Sequence, residues 1–452
     1  MTQHRQGSLI ISKSAGAFKF TALNQLARLV LGPLVLLLLP FFLTIEQQGY
    51  WFSMSSIAAI LAFADMGLSI AIMQCAAHEH AHSSKQEAAD PRADRQGDCH
   101  RRLETLFAYS MRRVGKITLV ALPVVTAIGI FTLSSKSDTV HWFSPWLAHC
   151  LASAASLMLS VVLSFHEGCD GVASIQRIRL TVSIINLAML SVCLVAGLDL
   201  WSLSIATTAS TTVGAFLVSK YSVISIASAL KINKSELVAW SKEVSPLLSK
   251  YALSWIGGYL MFQLFVPIVL RLDGPEAAGR AGLTFSIFSA IFTLSNVWST
   301  YQLPKFSMAI ARQDNSALRA CLKRSLYGAI STYIGFALFV IATIYIFSDQ
   351  AKIVDRLQPM TGVLSISLIW LLQLLVHNLA IYLRAFKEEP LVRPTIIGAV
   401  HSVAATALCV YFLSPGGYSL GMLSVYFWFL PIVIYMYVRK RDLAAGWPSQ
   451  PA

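Results

Sequence analysis

The chain has 452 residues, of which 56% are hydrophobic and 13% charged, with a formal charge of +13 and a mean hydropathy of +0.63. Soluble domains carry about 25% charged residues, so this composition excludes a soluble protein and predicts a chain that crosses a membrane several times. The basic excess comes without a basic folded domain, which excludes nucleic-acid binding and indicates contact with lipid headgroups.

Apolar segments long enough to cross a bilayer, at about 1.5 Å per helical residue, follow one another along the chain. There are twelve, at residues 23–43, 51–74, 116–133, 145–165, 179–198, 201–219, 251–271, 281–303, 326–347, 360–383, 395–413 and 418–438. None shows the alternating pattern of a membrane β-strand. The predicted fold is therefore an all-α polytopic membrane protein with twelve transmembrane helices.

The basic residues predict the orientation of these spans. The first apolar run is too long for the core of a cleavable signal peptide, so we expect the N-terminus to stay inside. With both termini in the cytoplasm, all but five of the 35 Lys and Arg residues lie on that side, the exceptions being Lys136, Arg271, Arg280, Lys352 and Arg356.

The sequence gives little support for enzymatic or metal chemistry. It has no P-loop, and outer loops of about a dozen residues leave no room for a catalytic domain, so we expect no enzyme and no cofactor. GYSLG at 417–421 and HEHAH at 78–82 have the letters of the GxSxG and HExxH motifs, but both lie at the ends of predicted spans. For HEHAH, a wetted helix end is the favoured interpretation over a metal site. Seven scattered cysteines predict free thiols.

The first two spans each carry one ionisable residue where lipid would penalise it, Arg28 and Asp65. A charge at mid-helix costs about 2.5–3.5 kcal/mol on insertion scales, so such groups usually face protein or a wet cavity. Arg28 also shares a helix face with Asn24, one turn earlier. The alternatives are that Arg28 snorkels to the headgroups and that Asp65 caps a helix end or forms a buried pair.

The two halves of the chain repeat one order of features. Each has a proline-bearing span (Pro40, Pro267), a short outer loop, and a span with a polar centre (Asp65, Asn296). An even number of spans per half predicts parallel repeats related by an axis along the membrane normal. The predicted domains are an N-terminal lobe at 1–220, a cytoplasmic linker at 221–250 and a C-terminal lobe at 251–452.

Polar side chains also lie within the later spans, where amide and imidazole groups need partners or water. They are Gln263 in the seventh span, Asn296 in the eighth, and Gln373 and His377 in the tenth. We expect these four, together with Arg28 and Asp65, to line a central cavity. For stripes of small residues such as Ser153 and Ser156, close helix packing is the favoured alternative.

Several stretches resemble polysaccharide flippases of the O-antigen translocase type. These are LPFFLTIEQQGYWFSMSSIAAILAFADMGLSIAIMQCAAHEHA, LSWIGGYLMFQLFVPIVLRLDGPEAAGRAGLTFSIF, SNVWSTYQLPKF and YLRAFKEEPLV. With the twelve-span layout, the resemblance covers nearly the whole chain. It implies kinship with the multidrug and toxin extruders of the multidrug/oligosaccharidyl-lipid/polysaccharide exporter superfamily, whose two six-helix lobes form a V around a central cavity.

The resemblance implies that the chain flips an undecaprenyl-diphosphate-linked oligosaccharide across a bacterial inner membrane by cation-coupled alternating access. Membrane lipids, a glycan polymerase and glycosyltransferases are the implied partners. Arg28 and Arg384 could receive the diphosphate. The sugar would bind Asn24, Gln263, Asn296 and Gln373, and the coupling cation Asp65 and His377. Two alternatives stay open, a cation-coupled exporter of small amphiphiles and a non-transporting scaffold of a glycan-assembly complex.

Overall fold

A computed structural model describes Phe20 and residues 23–27, 29–65, 67–89, 96–134, 140–221, 232, 240–244, 257–347, 354–386, 389–413 and 417–445. Within these residues the chain forms helices joined by short turns, and none of them lies in a β-strand. Helices dominate because hydrocarbon offers the backbone no hydrogen-bond partners, so each spanning segment must satisfy its own.

The first half contains α1 (Leu23–Phe42), α2 (Ile45–Phe63), α3 (Leu68–Ala89), α4 (Gln96–Leu133), α5 (Phe143–His166), α6 (Val172–Val195) and α7 (Trp201–Ser219). A short helix, α8 (240–244), lies between the halves. The second half contains α9 (257–263), α10 (Phe265–Asp273), α11 (Pro275–Ser295), α12 (Val297–Ala311), α13 (Asn315–Ile346), α14 (Met360–Ala385), α15 (Val392–Leu413), α16 (Tyr418–Ser424) and α17 (Tyr426–Ala445).

Eleven helical segments among the described residues are long and apolar enough to cross a membrane. The predicted seventh span, 251–271, is absent from this set because residues 251–256 lie outside the described part, and the helical segment that is described, 257–273 with a break at Leu264, is too short. The chain is thus a multi-pass, all-α membrane protein, and the predicted fold class is confirmed.

Two helices extend far beyond their predicted spans. Helix α4 has 38 residues and α13 has 32. At 1.5 Å per residue, α4 is about 57 Å long, roughly twice the thickness of a bilayer's hydrocarbon core. The basic stretches that precede these spans, CHRRLETLFAYSMRRVGK and RQDNSALRACLKRSLYG, are therefore mostly continuous with them. Asp314 caps α13, and the backbone amide of Ala317, 2.9 Å from its Oδ1, lowers the pKa of the carboxyl.

A five-residue π-helix, Glu167–Gly171, joins α5 directly to α6. The charged stretch between the fourth and fifth predicted spans is thus helical. Its Gly168 packs closely on α3, because a Cβ at this position would lie 2.4 Å from the carbonyl oxygen of Met73. Short π-helical turns inside α-helical segments occur often at functional sites.

The chain divides into two compact units. The first comprises Met1–Leu38, Ile57–Phe131 and His141–Trp255, and the second comprises Leu39–Ser56, Thr132–Val140 and Ile256–Ala452. The end of α1 and the beginning of α2 therefore belong to the second unit. The lobe boundaries predicted at 220 and 251 stay a prediction.

Helix α8, in the predicted linker, packs on the first unit. Trp240 is buried, and its Nε1 donates to Thr105 Oγ1 on α4 at 3.0 Å. The Arg102 guanidinium lies over the Trp240 ring at 5.2 Å and pairs with Glu79 of α3 at 3.0 Å. Glu79 is the acid of the HEHAH run, and it therefore has a cationic partner.

In the second unit, the beginning of α2 lies against α11 with backbone nearly touching backbone. A Cβ at Gly49 would lie 2.0 Å from the carbonyl oxygen of Pro275, and one at Gly279 would lie 2.3 Å from that of Ile45. No side chain fits at either distance, so both positions require glycine.

Polar contacts hold the same turn in place. Gln48 is fully buried, and its Nε2 donates to the carbonyl oxygen of Gly279 at 3.4 Å. Arg356 donates through Nη1 to the carbonyl oxygen of Leu43. Burial lowers the pKa of the Arg356 guanidinium, as expected for a charge withdrawn from water.

Candidate functional site

The predicted diphosphate ligand Arg28 lies outside the described residues, but its helical neighbour Asn24 is described. Asn24 is 3% exposed, and its Nδ2 donates to Gln176 Oε1 on α6 at 2.8 Å. Its Oδ1 is buried and has no hydrogen-bond partner in the described part of the chain. A buried amide oxygen without a partner carries a desolvation cost, which marks this position as one for a ligand or water.

A charged network continues from Asn24 through α6 to the π-helix. Gln176 Nε2 donates to Glu167 Oε1 at 2.8 Å. The other carboxylate oxygen of Glu167 pairs with Arg179 Nη2 at 3.1 Å, and the two side chains are only 14% and 21% exposed. Arg179 Nη2 also donates to Ser164 Oγ at 3.3 Å. Together these side chains connect α1, α5 and α6 inside the first unit.

Capacity for further hydrogen bonds remains in this network. Arg179 Nε is buried without a partner among the described residues, as is His166 Nε2 at the end of α5. A guanidinium has five N–H donors, and Arg179 commits one nitrogen to both of its contacts. The network can therefore accept an additional anionic or hydroxyl-bearing group without losing its ion pair.

Sequence reasoning missed Glu167 and Arg179. The stretch FHEGCDGVASIQRIR indicated a charged elbow, but it did not indicate which charges are buried. Gln176 and Arg179 are three residues apart on α6, hence on one face, and this spacing is the signal that could have been used. The π-helix, which has no recognisable sequence signature here, turns Glu167 toward that face.

Asp65 lies in the break between α2 and α3. Its Oδ1 and Oδ2 accept the backbone N–H of Ser69, at 3.0 and 3.2 Å. Gly67, with φ +83°, allows the tight turn between the helices. The carboxylate thus caps the start of α3, which was one of the alternatives for this residue. Its role in ion coupling stays a prediction, since a carboxylate has about four acceptor sites and a cap uses few of them.

Asn296 lies at a second break, the single residue between α11 and α12. Its side chain is half-buried, and its Oδ1 is buried with no hydrogen-bond partner among the described residues. The carbonyl oxygen of Asn296 accepts from Thr300 Oγ1 at 3.2 Å. A polar group at a helix break inside a span is the arrangement expected where a span faces protein or water.

Aromatic rings from α9, α11 and α14 surround Trp370, one turn before Gln373. Phe262 stacks on Trp370 with ring centroids 5.2 Å apart, and Phe285 and Phe292 each lie 5.0 Å away. The indole Nε1 of Trp370 is buried without a partner in the described part of the protein. Trp370 lies in line with Gln373 and His377 on α14, and the rings around it come from helices that the sequence alone does not bring together.

Gln373 and His377 border this aromatic cluster. Gln373 Oε1 accepts from Tyr426 Oη on α17 at 3.0 Å. His377 meets Phe292 edge-to-face with centroids 5.7 Å apart. Phe292 is one turn from Asn296, so the structure brings three of the predicted residues to neighbouring positions at the end of α11 and on α14.

The other two predicted residues in the second half, Gln263 and Arg384, have no described hydrogen bond or ring contact with this group. Gln263 is the last residue of α9, half-buried just before the break at Leu264. Arg384, at the end of α14, is 41% exposed and pairs with Glu389, 43% exposed, at 3.2 Å. Arg384 can exchange this partner for a stronger anion at little cost, because exposed pairs contribute only about 0–1 kcal/mol.

A buried amide that sequence reasoning missed, Asn378, is the opposite of Asn296. Its Oδ1 accepts from Ser299 Oγ at 2.7 Å and from Ser325 Oγ at 2.6 Å, and its Nδ2 donates to the carbonyl oxygen of Leu374 at 2.9 Å. Asn378 is 1% exposed, and both polar atoms of its side chain are bonded. These bonds hold α12, α13 and α14 together, which indicates a structural role.

The fold is that of known membrane transporters. It matches the lipid II flippase MurJ in an inward closed conformation with a TM-score of 0.60 at 12% identity, over 94% of this chain and 89% of that one. It matches an inward-facing multidrug resistance transporter of the MATE family, of the MOP superfamily, with a TM-score of 0.57 at 11% identity, over 91% and 98%.

An outward-facing MATE transporter also matches, with a TM-score of 0.51 at 13% identity, over 93% of this chain and 95% of that one. Neither a protein-family model nor a curated protein sequence matches the chain. At these identities the likeness shows the fold alone, and the MATE-like architecture expected from the sequence is confirmed.

Proposed function

We propose that this chain is a flippase of the MOP superfamily that moves an undecaprenyl-diphosphate-linked oligosaccharide across a bacterial inner membrane. One observation carries the proposal. On a fold shared with a lipid II flippase, spanning helices hold amide oxygens, those of Asn24 and Asn296, that are buried without partners among the described residues. Such groups are costly in a membrane unless a polar cargo or water satisfies them.

The substrate's three parts need different partners. The diphosphate needs cations, which Arg28 and Arg384 supply, and Arg384 is held by Glu389 until a phosphate competes for it. The sugar hydroxyls need amides, supplied by Asn24, Gln263, Asn296 and Gln373. The polyprenyl tail needs no protein partner because it can remain in the bilayer.

Transport then proceeds by alternating access, driven by a cation gradient, since the sequence carries no nucleotide-binding motif. Asp65 and His377 are the candidate cation ligands. The protein acts without catalysing a covalent reaction, with both termini in the cytoplasm, beside membrane lipids, glycosyltransferases that build the substrate and a polymerase that consumes it.

A deletion strain tests the substrate. We expect lipid-linked repeat units to accumulate on the cytoplasmic face, since substrate synthesis continues while translocation stops. Proteoliposomes with a fluorescent undecaprenyl-diphosphate oligosaccharide should show protein-dependent flipping. Normal surface glycan in the deletion strain, or no flipping in vesicles, would contradict the proposal.

Asp65→Asn tests the coupling role. Asn caps a helix about as well as Asp, so the fold should persist while the charge needed by a cation is lost. We expect at least tenfold slower flipping at unchanged expression and thermal stability. Asp314→Asn is the matched control, because Asp314 also caps a helix but lies in an exposed turn. Full activity of the Asp65 variant would show that Asp65 caps the helix and has no role in coupling.

A second candidate, export of small amphiphiles, is favoured by the rings around Trp370, which offer an apolar surface for a flat or lipophilic molecule. Drug-susceptibility profiles of the deletion strain separate the two, because a lipid-linked glycan flippase should leave them unchanged. A scaffold that does not transport is excluded by any flipping in vesicles.

A further inference from the structure

His401, which the transport proposal does not use, lies at a helix break in the second unit. It is half-buried on α15, and Trp428 Nε1 donates to its Nδ1 at 2.9 Å. Its other ring nitrogen, Nε2, is 3.0 Å from Ser424 Oγ. Ser424 Oγ in turn donates to the carbonyl oxygen of Gly421 at 2.7 Å.

The partners determine the protonation state of the ring. An indole N–H can only donate, so Nδ1 of His401 must accept and carries no proton. The single hydroxyl hydrogen of Ser424 is used toward Gly421, so Ser424 must accept from Nε2, which therefore carries the proton. His401 is thus neutral, with its proton on Nε2, and both of its ring nitrogens are satisfied.

Proton binding is incompatible with this arrangement. The only lone pair available for a proton is that of Nδ1, and the N–H of Trp428 points at it. A proton on Nδ1 would place two N–H groups against each other, which breaks the bond and repels the indole. The resulting imidazolium, charged and half-buried, would also need a new acceptor or water. Protonation must therefore move one of the two rings.

The position of the ring transmits that movement to a hinge. Helix α16 ends at Ser424 and α17 begins at Tyr426, with Val425 alone between them. His401 bonds one residue on each side of this break, Ser424 and Trp428. Gly398, one turn before His401, leaves room for Val425, since a Cβ there would lie 3.3 Å from its side chain.

Other titratable groups near this site are engaged elsewhere or distant along their helices. On the helices packed against α15 they are Tyr259 on α9, Arg271 and Asp273 on α10, Tyr418 on α16, and Tyr426, Tyr435, Tyr437, Arg439, Lys440, Arg441 and Asp442 on α17. Tyr259 donates to the carbonyl oxygen of Ser56, Tyr418 to Asp273, and Tyr426 to Gln373.

On α17 the charged residues begin at Arg439, about 16 Å along the helix from Trp428. On α15 itself, the titratable groups Arg393 and Cys409 each lie about 12 Å along the helix from His401, and Tyr411 lies farther. Ser424 and Trp428 are the hydrogen-bond partners of His401 in the described part of the chain. Its charge change is therefore not offset by an ion-pair partner there.

We propose that His401 binds a coupling proton, separate from the cation assigned to Asp65 and His377, and, by releasing Trp428, changes the bend between α16 and α17 during transport. The proton enters at Nδ1 from one aqueous side and leaves from the same atom to the other side. Coupling of the proton to glycan movement rests on the proposed flippase function, whereas proton binding and the hinge response do not.

The first experiment needs no substrate. The full-length protein in nanodiscs is titrated between about pH 5 and 8.5 while tryptophan fluorescence is recorded, because an imidazolium quenches a neighbouring indole. The difference between wild type and Trp428→Phe isolates the Trp428 signal from the ten tryptophans. We expect a one-proton transition that disappears in His401→Gln and persists in His141→Gln, a matched change at an exposed histidine before α5.

No transition in the wild type, or an equal one in His401→Gln, overturns the proposal. Should His401→Gln fail to fold, Ser424→Ala replaces it, since it keeps the ring and removes the acceptor that fixes Nε2–H. That variant should shift the fluorescence transition along the pH axis, and an unchanged transition counts against the proposal.

The second experiment uses proteoliposomes with the fluorescent lipid-linked oligosaccharide and an imposed pH gradient. For one proton per substrate, one pH unit biases the substrate distribution about tenfold, and we expect that bias in wild type and none in His401→Gln. An equal bias in the variant overturns the coupling role. Absence of flipping with every driving force contradicts the flippase proposal, and the fluorescence titration then still decides the proton switch.

Discussion

The two units bury polar groups of different kinds. In the first unit, Asn24, Gln176, Glu167 and Arg179 form a network built around an ion pair. In the second, the buried clusters around Asn378, Trp370 and His401 are made of amides, hydroxyls, imidazoles and aromatic rings.

This difference has energetic and chemical consequences. Removing one member of a buried ion pair leaves an uncompensated charge, which costs more than an unpaired neutral group. The first unit therefore depends on charge balance within its buried network, and the buried clusters of the second unit depend on neutral hydrogen bonds and ring packing. The following substitutions test that division.

The largest expected effect comes from the ion pair. Arg179→Gln leaves Glu167 charged and mostly buried, which should destabilise the protein by about 3 kcal/mol. Glu167→Gln combined with Arg179→Gln should recover most of that loss, because no buried charge remains. The measurement is the thermal unfolding midpoint of the purified protein in detergent.

Arg384→Gln is the control for this effect. Its pair with Glu389 has almost the same length, 3.2 Å, but is exposed, so we expect a change of only about 0–1 kcal/mol. If both single variants lose stability equally, burial does not distinguish the two pairs and the contrast between the units fails.

The stability of the second unit should depend on close packing of the backbone more than on charge. Gly49→Ala places a methyl group 2.0 Å from the carbonyl oxygen of Pro275, and overpacking of this kind costs about 1–3 kcal/mol. Gly32→Ala on α1 meets nothing within 4 Å and should be neutral or slightly stabilising. Equal melting curves for the two variants would show that the close approach at Gly49 is not maintained in the membrane.

Substitutions of two asparagines in the second unit distinguish a structural role from a role in cargo binding. Asn378→Ala removes the short-range acceptor of the Ser299 and Ser325 hydroxyls, leaves them only their mutual bond of 3.2 Å, and should cost about 1–3 kcal/mol in unfolding free energy. Asn296→Ala removes an oxygen with no described partner, so stability should hold while flipping slows about tenfold, for a lost hydrogen bond to the sugar. The reverse pattern in melting and flipping assays would contradict the division of roles.

The smallest effect concerns the exposed cap of α13. Asp314→Ala should increase hydrogen exchange of the Ala317 amide without changing transport. Because the pKa of Asp314 is lowered below 3.8, the cap contributes fully above that pH and is lost as the pH falls through the lowered value. Protection of Ala317 that is independent of pH in the wild type would show that the carboxylate does not provide the cap.

Local hydrophobicity predicted the positions of the spans well. It predicted poorly which side chains on different helices form hydrogen bonds with each other. The sixth predicted span, 201–219, coincides with α7, because a run of apolar residues must be helical wherever it enters lipid. The breaks at Asp65, Leu264 and Asn296 lie inside such runs, where average hydropathy carries no information about a single residue's backbone.

The site was predictable only in part for a related reason. Sequence identified Asn24, Asn296, Gln373 and His377 as polar residues at depth. It could not tell Asn296, whose Oδ1 has no partner among the described residues, from Asn378, whose side chain has three. Partners such as Gln176 for Asn24 or Trp428 for His401 lie on other helices. Their selection depends on helix rotation, which the periodicity of one helix does not determine.

The π-helix between α5 and α6 is the place where the first unit can lose a residue with the least damage. A π-turn holds about one residue more than an α-turn, so deleting one residue from 168–171 leaves a continuous α-helix whose later residues keep nearly the same facing. The same deletion from 172–175, inside α6, would rotate everything after it by about 100°. Gln176 and Arg179 would then turn away from Glu167 together, although no substitution had touched them. Single-residue deletions therefore test this network in a way that single-residue replacements do not.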